Sequence, residues 1–160
     1  MKQFPQLVEA DFEALRCLLE EFLDKTGASL ALLVERAGYL ILGAGDAKKV
    51  DTTQLATLAA NAFAACQFIA EQLGNTAFNS MFQQGDPLDA LWRQVDETCL
   101  LVTVFPTEAG VGFVRYHAET TARLMAERLS IAREHTAGPG LDLSDLNPRD
   151  VAELFKKKDQ

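Results

Sequence analysis

Few side chains in this sequence could carry out chemistry, and none stands in a pattern that chemistry needs. The two histidines are His117 and His135, and a metal site on a helix would need further ligands at helical spacing, which His117 with Glu119 does not supply. Gly43-Ala44-Gly45 is glycine-rich, but it lacks the third glycine of a dinucleotide-binding turn and no Lys-Ser or Lys-Thr pair follows to make a phosphate loop. It reads as a strand exit. Ser80 and Ser130 have no flanking glycines, so no nucleophile elbow is present. Arg115, Arg123, Arg128 and Arg133 recur along one segment and suggest an arginine finger, but their neighbours Glu119, Glu127 and Glu134 fit a solvated, ion-paired helix face. Cys17, Cys66 and Cys99 lie far apart in apolar surroundings and read as buried small hydrophobes, not as a metal or redox set. The expectation is a protein without catalytic residues, metal or cofactor, which acts through its surface.

Composition narrows which surface. The chain has 160 residues and a hydrophobic content of 48%, enough for one domain with one sizeable core. A formal net charge of -8 would repel a phosphate backbone, and no basic stripe offsets it, which argues against nucleic acid and against anionic membrane surfaces. No secretory pattern opens the sequence and no stretch approaches a membrane span, so membrane insertion is not expected and a reducing cytoplasm is the natural compartment.

The elements that must shape this surface follow from periodicity. Phe12, Leu15, Leu18, Leu19, Phe22 and Leu23 recur at helical spacing, with Asp11 as candidate N-cap and Gly27 past the end. Ser29 to Glu35 and Tyr39 to Leu42 form a hairpin with Gly38 in the turn. Asp51, Thr52 and Thr53 offer caps to a second helix ending at Gly74, whose apolar stripe is Leu55, Leu58, Ala62, Cys66, Ile69 and Leu73. Its other faces carry Ala56, Ala59, Ala60, Asn61, Ala64 and Ala65, which either admit the close approach of another element or simply favour the helix. With that stripe inward, Asn61, Ala64, Ala65, Phe68 and Gln72 point outward, and Phe68 is a large aromatic with no place in the core.

Three strands follow, Thr76 to Gln84, Leu88 to Val95 and Cys99 to Phe105, set apart by Gly85-Asp86 and Asp96-Glu97. The last is apolar almost throughout and is expected at the centre of the sheet. A loop over Thr107 to Gly112 leads to a third helix from about Val114 to His135. The fold class is therefore α+β, an α/β sandwich in the order α-β-β-α-β-β-β-α with a five-stranded antiparallel sheet. This domain spans residues 1–135. Residues 136–146, with Ala137-Gly138-Pro139-Gly140, read as a flexible linker. Residues 147–160 read as a short amphipathic helix, capped by Asn147 and Pro148, with Val151, Leu154 and Phe155 on one face and Lys156, Lys157 and Lys158 at its end.

These elements and several stretches resemble the roadblock family of dynein light chains and GTPase regulators, and within it the bacterial members of the MglB type. The residues that carry the resemblance are Ala31 to Tyr39, Leu55-Ala56-Thr57-Leu58 through Leu73-Gly74, and Leu100 to Phe105 followed by Val111-Gly112. It spans roughly Phe12 to Ser130. The resemblance implies a roadblock/profilin-like fold and a homodimer whose sheets join edge to edge through the third strand, with the two second helices side by side. It places Ala60, Phe78, Ser80 and Phe82 at the dimer interface. It also implies a small Ras-like GTPase of the MglA type as partner, seated on the paired helices at Asn61, Ala64, Ala65, Phe68 and Gln72, of which Ala64 and Phe68 face either the GTPase or the second copy, with a tail that reaches the GTPase through Val151, Leu154 and Phe155 or else folds back on its own domain. Hydrolysis would be stimulated by repositioning the GTPase's own groups, without an inserted arginine.

Two other readings stay open at this level. A scaffold subunit would use the same surfaces without distinguishing the partner's nucleotide. A small-molecule sensor would use Trp92, Phe63 and Phe82 to line a pocket, although such aromatics also serve as core packing. Three buried anchors in the tail are worth roughly 1.5–3 kcal/mol each, against about 1–2 kcal/mol per residue for ordering its backbone. Deleting residues 147–160 should therefore weaken partner binding without abolishing it; titration of the truncated protein against the GTPase measures this, and total loss would make the tail the principal contact.

Overall fold

The computed structural model describes residues 2–136. In chain order its elements are α1 (Glu9–Thr26), β1 (Leu30–Glu35), β2 (Leu40–Gly45), α2 (Thr52–Gln72), β3 (Ser80–Gln83), β4 (Leu88–Gln94), β5 (Cys99–Pro106) and α3 (Val111–Thr136). The five strands form one antiparallel sheet in the order β2-β1-β5-β4-β3. The apolar run Leu100 to Phe105 occupies the central strand, as its composition requires, because only a strand covered on both faces can bury side chains of both parities.

Those two parities split the core into two layers. Ala31, Leu33, Leu91, Leu101 and Phe105 project to one face, where Leu15, Leu19 and Phe22 of α1 and Val114, Ala118, Met125 and Leu129 of α3 cover them. Leu30, Leu32, Val34, Trp92, Leu100 and Val102 project to the other, where α2 lies alone. One helix thus does on its face what two do opposite, and much of α2 stays in solvent.

Several boundaries differ from those the spacing predicts. Asp11 is not the N-cap of α1; the helix begins at Glu9, and the Asp11 carboxylate reaches back to accept a hydrogen bond from the Val8 N–H at 3.0 Å. Buried to 1% exposure, Asp11 also pairs with Arg128 of α3 at 2.8 Å. At the other end Gly27 takes φ 70° and its N–H returns to the Leu23 carbonyl, closing the helix as expected. Gly43-Ala44-Gly45 does not exit the sheet but forms the last residues of β2, opposite Leu32, Ala31 and Leu30. A Cβ on Gly45, whose φ is 105°, would collide with the Ser29 carbonyl oxygen, so close backbone packing requires glycine there. The third strand, Ser80–Gln83, is shorter than the expected Thr76 to Gln84, and α3 starts at Val111, just after a single turn of 3₁₀ helix over Thr107–Ala109. Cys17 is exposed and Cys66 half-buried; of the three cysteines only Cys99 is a core residue, and burial pushes its thiol up to about 12.

The arginines of α3 are not one solvated face. Arg123 makes the expected exposed pair with Glu127, but Arg128 reaches α1, and Arg133 grips the β4–β5 turn through Asp96 at 2.8 Å and the Thr98 hydroxyl at 3.0 Å. Arg93 of β4 faces Glu119 at 3.9 Å. The linker at 136–146, Thr136 excepted, and the terminal helix at 147–160 with Val151, Leu154 and Phe155 lie outside the described residues. Among the described residues no helix is long and apolar enough to cross a membrane.

The Asp96 carboxylate also accepts from the Thr98 and Cys99 N–H groups and the Thr98 hydroxyl. Burial alone would raise its pKa, but Arg133 and these donors more than offset that and hold it below the ordinary 3.8. A folded-state pKa below the unfolded one gives stability that is complete above that ordinary value and is lost as pH falls through the folded one. Asp96→Asn should therefore lower stability at neutral pH by about 2 kcal/mol and shrink the loss of stability on acidification below pH 3.8; urea unfolding from pH 7 to pH 2 measures both.

Candidate partner-binding surface

At about 100° per residue, α2 shows three sides. The buried side is Ala56, Ala59, Ala60, Phe63 and Ala70. Here the sequence reading is overturned: of its proposed inward stripe, Leu58, Ile69 and Leu73 are 58%, 58% and 73% exposed. The alanines face inward because methyl groups let the helix lie close on the sheet, close enough for the Trp92 indole N–H to donate to the Ala59 carbonyl at 3.1 Å. Leucines on that side would hold the helix away. Ala60, expected at a dimer interface, is part of this buried layer at 3% exposure and cannot reach a partner.

Hydrogen bonds fix the helix in rotation. Asp51 caps it by accepting from the Gln54 N–H at 3.0 Å. The Thr57 hydroxyl donates to the Gly38 carbonyl at 3.1 Å, and Arg36 bonds Gln67 while its guanidinium sits 5.6 Å from the centre of the Phe63 ring. Both ties run to the β1–β2 turn, where Gly38 adopts φ 103°. One flank of α2 is therefore attached to this turn, and Tyr39 stands exposed beside it.

The opposite flank looks toward the β3 edge. Cys66, Ile69, Ala70 and Leu73 there line, with Asn75 and Phe78, a shallow groove of about 220 Å³. Phe78 is half-buried, its ring 5.0 Å from that of Phe63. Ser80 and Phe82 lie on β3, opposite Arg93 and Leu91, and among the described residues β3 bonds to β4 alone and its outer edge carries no strand. Phe82 turns its ring inward, stacked 6.5 Å from Phe105. What it offers at the edge is backbone.

Between the flanks, Asn61, Ala64, Ala65, Phe68 and Gln72 are all exposed, Phe68 to 68%. The surface on α2 thus has a small-residue and aromatic crest, a bare aliphatic flank at Leu58, Ile69 and Leu73, and a free strand edge beyond it. The aliphatic flank reads as core in the sequence because large apolar residues at helical spacing signal burial. Trp92 and Phe63 belong to the layer under α2 and Phe82 to the layer under α1 and α3, so these three aromatics do not line a common pocket.

An antiparallel five-stranded sandwich with two helices on one face and a single, outwardly apolar helix on the other defines a protein of the roadblock and profilin-like architecture. The chain belongs to the Roadblock/LC7 domain family, whose model matches residues 16–105. Among solved structures it is similar to a gliding protein, MglB, of Thermus thermophilus at 30% identity, with 82% of this chain and 99% of that one covered and a TM-score of 0.75. An MglB with a tetrameric arrangement gives 32% identity, 82% and 99% coverage and a TM-score of 0.76. MglB of Myxococcus xanthus gives 25% identity, 75% and 98% coverage and a TM-score of 0.72. No curated protein sequence matches the chain.

The inward and outward aromatics of α2 should separate cleanly by mutation. Phe63→Ala should cost about 3–5 kcal/mol by leaving a cavity under the helix. Phe68→Ala should stay within about 0.5 kcal/mol of the parent protein. Chemical denaturation of both variants checks the assignment, and a large cost at Phe68 would reverse it.

Proposed function

We propose that this protein is a non-catalytic regulator of a small Ras-like GTPase of the MglA type and acts as a homodimer, either activating hydrolysis or serving as an effector-like partner. The observation that carries the reading is the crest and flank of α2, where Leu58, Phe68, Ile69 and Leu73 stand exposed together in a chain of net charge -8. Large apolar groups in such number on one helix mark an interaction surface. Similarity to MglB supports the nature of the partner.

The two parts of the surface suit two contacts. The β3 edge and the Leu58, Ile69 and Leu73 flank are adjacent, and a second copy related by a two-fold axis would continue the sheet through Ser80 to Gln83 while laying α2 against α2. Such pairing satisfies the open backbone groups of β3, which otherwise invite uncontrolled association. Phe78 and the groove beside it would fall within this contact. The crests of the two helices, with Asn61, Ala64, Ala65, Phe68 and Gln72, then form one continuous platform for the GTPase. Small residues permit close approach and Phe68 supplies an aromatic anchor of the kind that dominates binding energy. Residues 147–160 would add Val151, Leu154 and Phe155 as an auxiliary contact.

Affinity for the GTPase, loaded in turn with a GTP analogue and with GDP, tests the reading. Preference for the GTP form is the expected result, with Phe68→Ala and Ala64→Arg each weakening it by roughly tenfold or more. Equal affinity for both forms would make the protein a scaffold. Ile69→Arg with Leu73→Arg should give a folded monomer in analytical ultracentrifugation; an intact dimer in that variant would move the self-contact elsewhere.

A further inference from the structure

On the face of the sheet away from α2, α1 covers β1 and β2, whereas α3 covers β4 and has the β3 edge beyond it. Arg128 reaches back from α3 to Asp11 of α1, so the opposite side of α3 looks toward β3. Arg115, Glu119, Ala122 and Ala126 recur at helical spacing on that side. Arg133, about five turns on from Arg115 and in line with it, bonds Asp96 at the β4–β5 turn. Two of these groups carry charge that their own chain leaves without a close partner. Arg115 is exposed and makes no ion pair among the described residues. Glu119 is exposed and stands 3.9 Å from Arg93, whose guanidinium is already held by the Asn79 side chain at 3.2 Å. Within one helix, an arginine four residues before a glutamate is in the less favourable order for pairing.

We infer that Arg115 and Glu119 pair reciprocally with Glu119 and Arg115 of a second copy, on the face of the sheet opposite α2. This contact rests on the homodimer proposed above, in which two β3 edges join about a two-fold axis. Such an axis, perpendicular to the sheet, keeps like faces together and sets the two α3 helices antiparallel. Spacing and level both fit. From β4 of one copy to β4 of the other is three strand spacings, about 14 Å. Helices lying over those strands, each about 10–12 Å across with its side chains, leave about 2–4 Å between their surfaces, which is ion-pair distance. β4 and α3 run in the same direction, from Pro87 beside Thr107 to Asp96 beside Arg133. Glu119 is level with Arg93. Arg115, about 6 Å back along the helix, is therefore level with Leu91, about 7 Å back along the strand. The midpoint of the two charges falls level with Trp92, whose partner across the ladder is Met81, inside β3. A two-fold axis there exchanges the Arg115 level with the Glu119 level, so that opposite charges meet twice. The contact thereby offsets the repulsion between two copies that each carry a net charge of -8.

Charge reversal in the full-length chain tests this, with the dimer dissociation constant read by sedimentation equilibrium. Arg115→Glu and Glu119→Arg should each raise that constant by about tenfold or more, since each change sets like charges against one another twice. Both residues are exposed, so the urea midpoints of the variants should match that of the parent. An equimolar mixture of the two variants should form heterodimers with near-parental affinity, because every glutamate at these positions then meets an arginine. A parental dimer insensitive to both reversals would overturn the inference and leave the homodimer standing, whereas a monomeric parent would overturn both. Recovery in the double variant, Arg115→Glu with Glu119→Arg, but not in the mixture would place the pair within one chain and likewise overturn the inference.

Discussion

The placement of α2 rests on one close approach. A single helix must cover a whole sheet face that includes Leu32, Val34, Leu100 and Val102, and it does so through alanines, one large residue, Phe63, and the Trp92 indole bonded to the Ala59 carbonyl. That contact requires the helix axis to sit low, which only small side chains allow. Once Ala56, Ala59, Ala60 and Phe63 face the sheet, the 3.6-residue repeat leaves no choice for the others: Leu58, Phe68, Ile69 and Leu73 must face outward. The exposed apolar surface is thus a geometric consequence of how the core is filled. The ties from Thr57 and Arg36 to the hairpin turn hold the helix in that rotation.

The other face of the sheet is built on a different principle. Two helices share it, and charged groups join them to their surroundings: Asp11 of α1 to Arg128 of α3, and Arg133 of α3 to the β4–β5 turn. Breaking one partner of such a buried pair leaves a charge without compensation, so these links penalise misplacement more than they reward formation. The α2 face instead joins its aliphatic flank to the β3 edge, which among the described residues carries no further strand. The asymmetry explains why apolar self-association and partner binding are both proposed on the α2 side.

Much of the architecture was legible in residue order. The unbroken apolar run of β5 identified the central strand because alternation is lost only when both faces are covered. Gly38, Asp51 and Gly27 marked a turn, a helix start and a helix end through constraints that act within a few residues. Asn61, Ala64, Ala65, Phe68 and Gln72 were also legible as an outward set, although the stripe used to deduce them faced solvent. They lie opposite the alanine face as well as beside the leucine stripe, so two different rotations of the helix leave them exposed.

The sequence by itself determined the order of elements, the sheet centre and the absence of a strongly charged binding stripe, because these depend on local periodicity and on composition. Which side of α2 turned inward was decided only in three dimensions. A helix apolar on most sides carries a weak directional signal, and the choice fell to a residue far away in sequence, Trp92, whose hydrogen bond demands an alanine-lined approach. The arginines of α3 show the same limit. Their spacing matched an exposed, self-paired face, but Arg128 and Arg133 found Asp11 and Asp96 on other elements. Long-range partners of this kind leave no trace in a neighbouring residue, so tertiary packing alone reveals them.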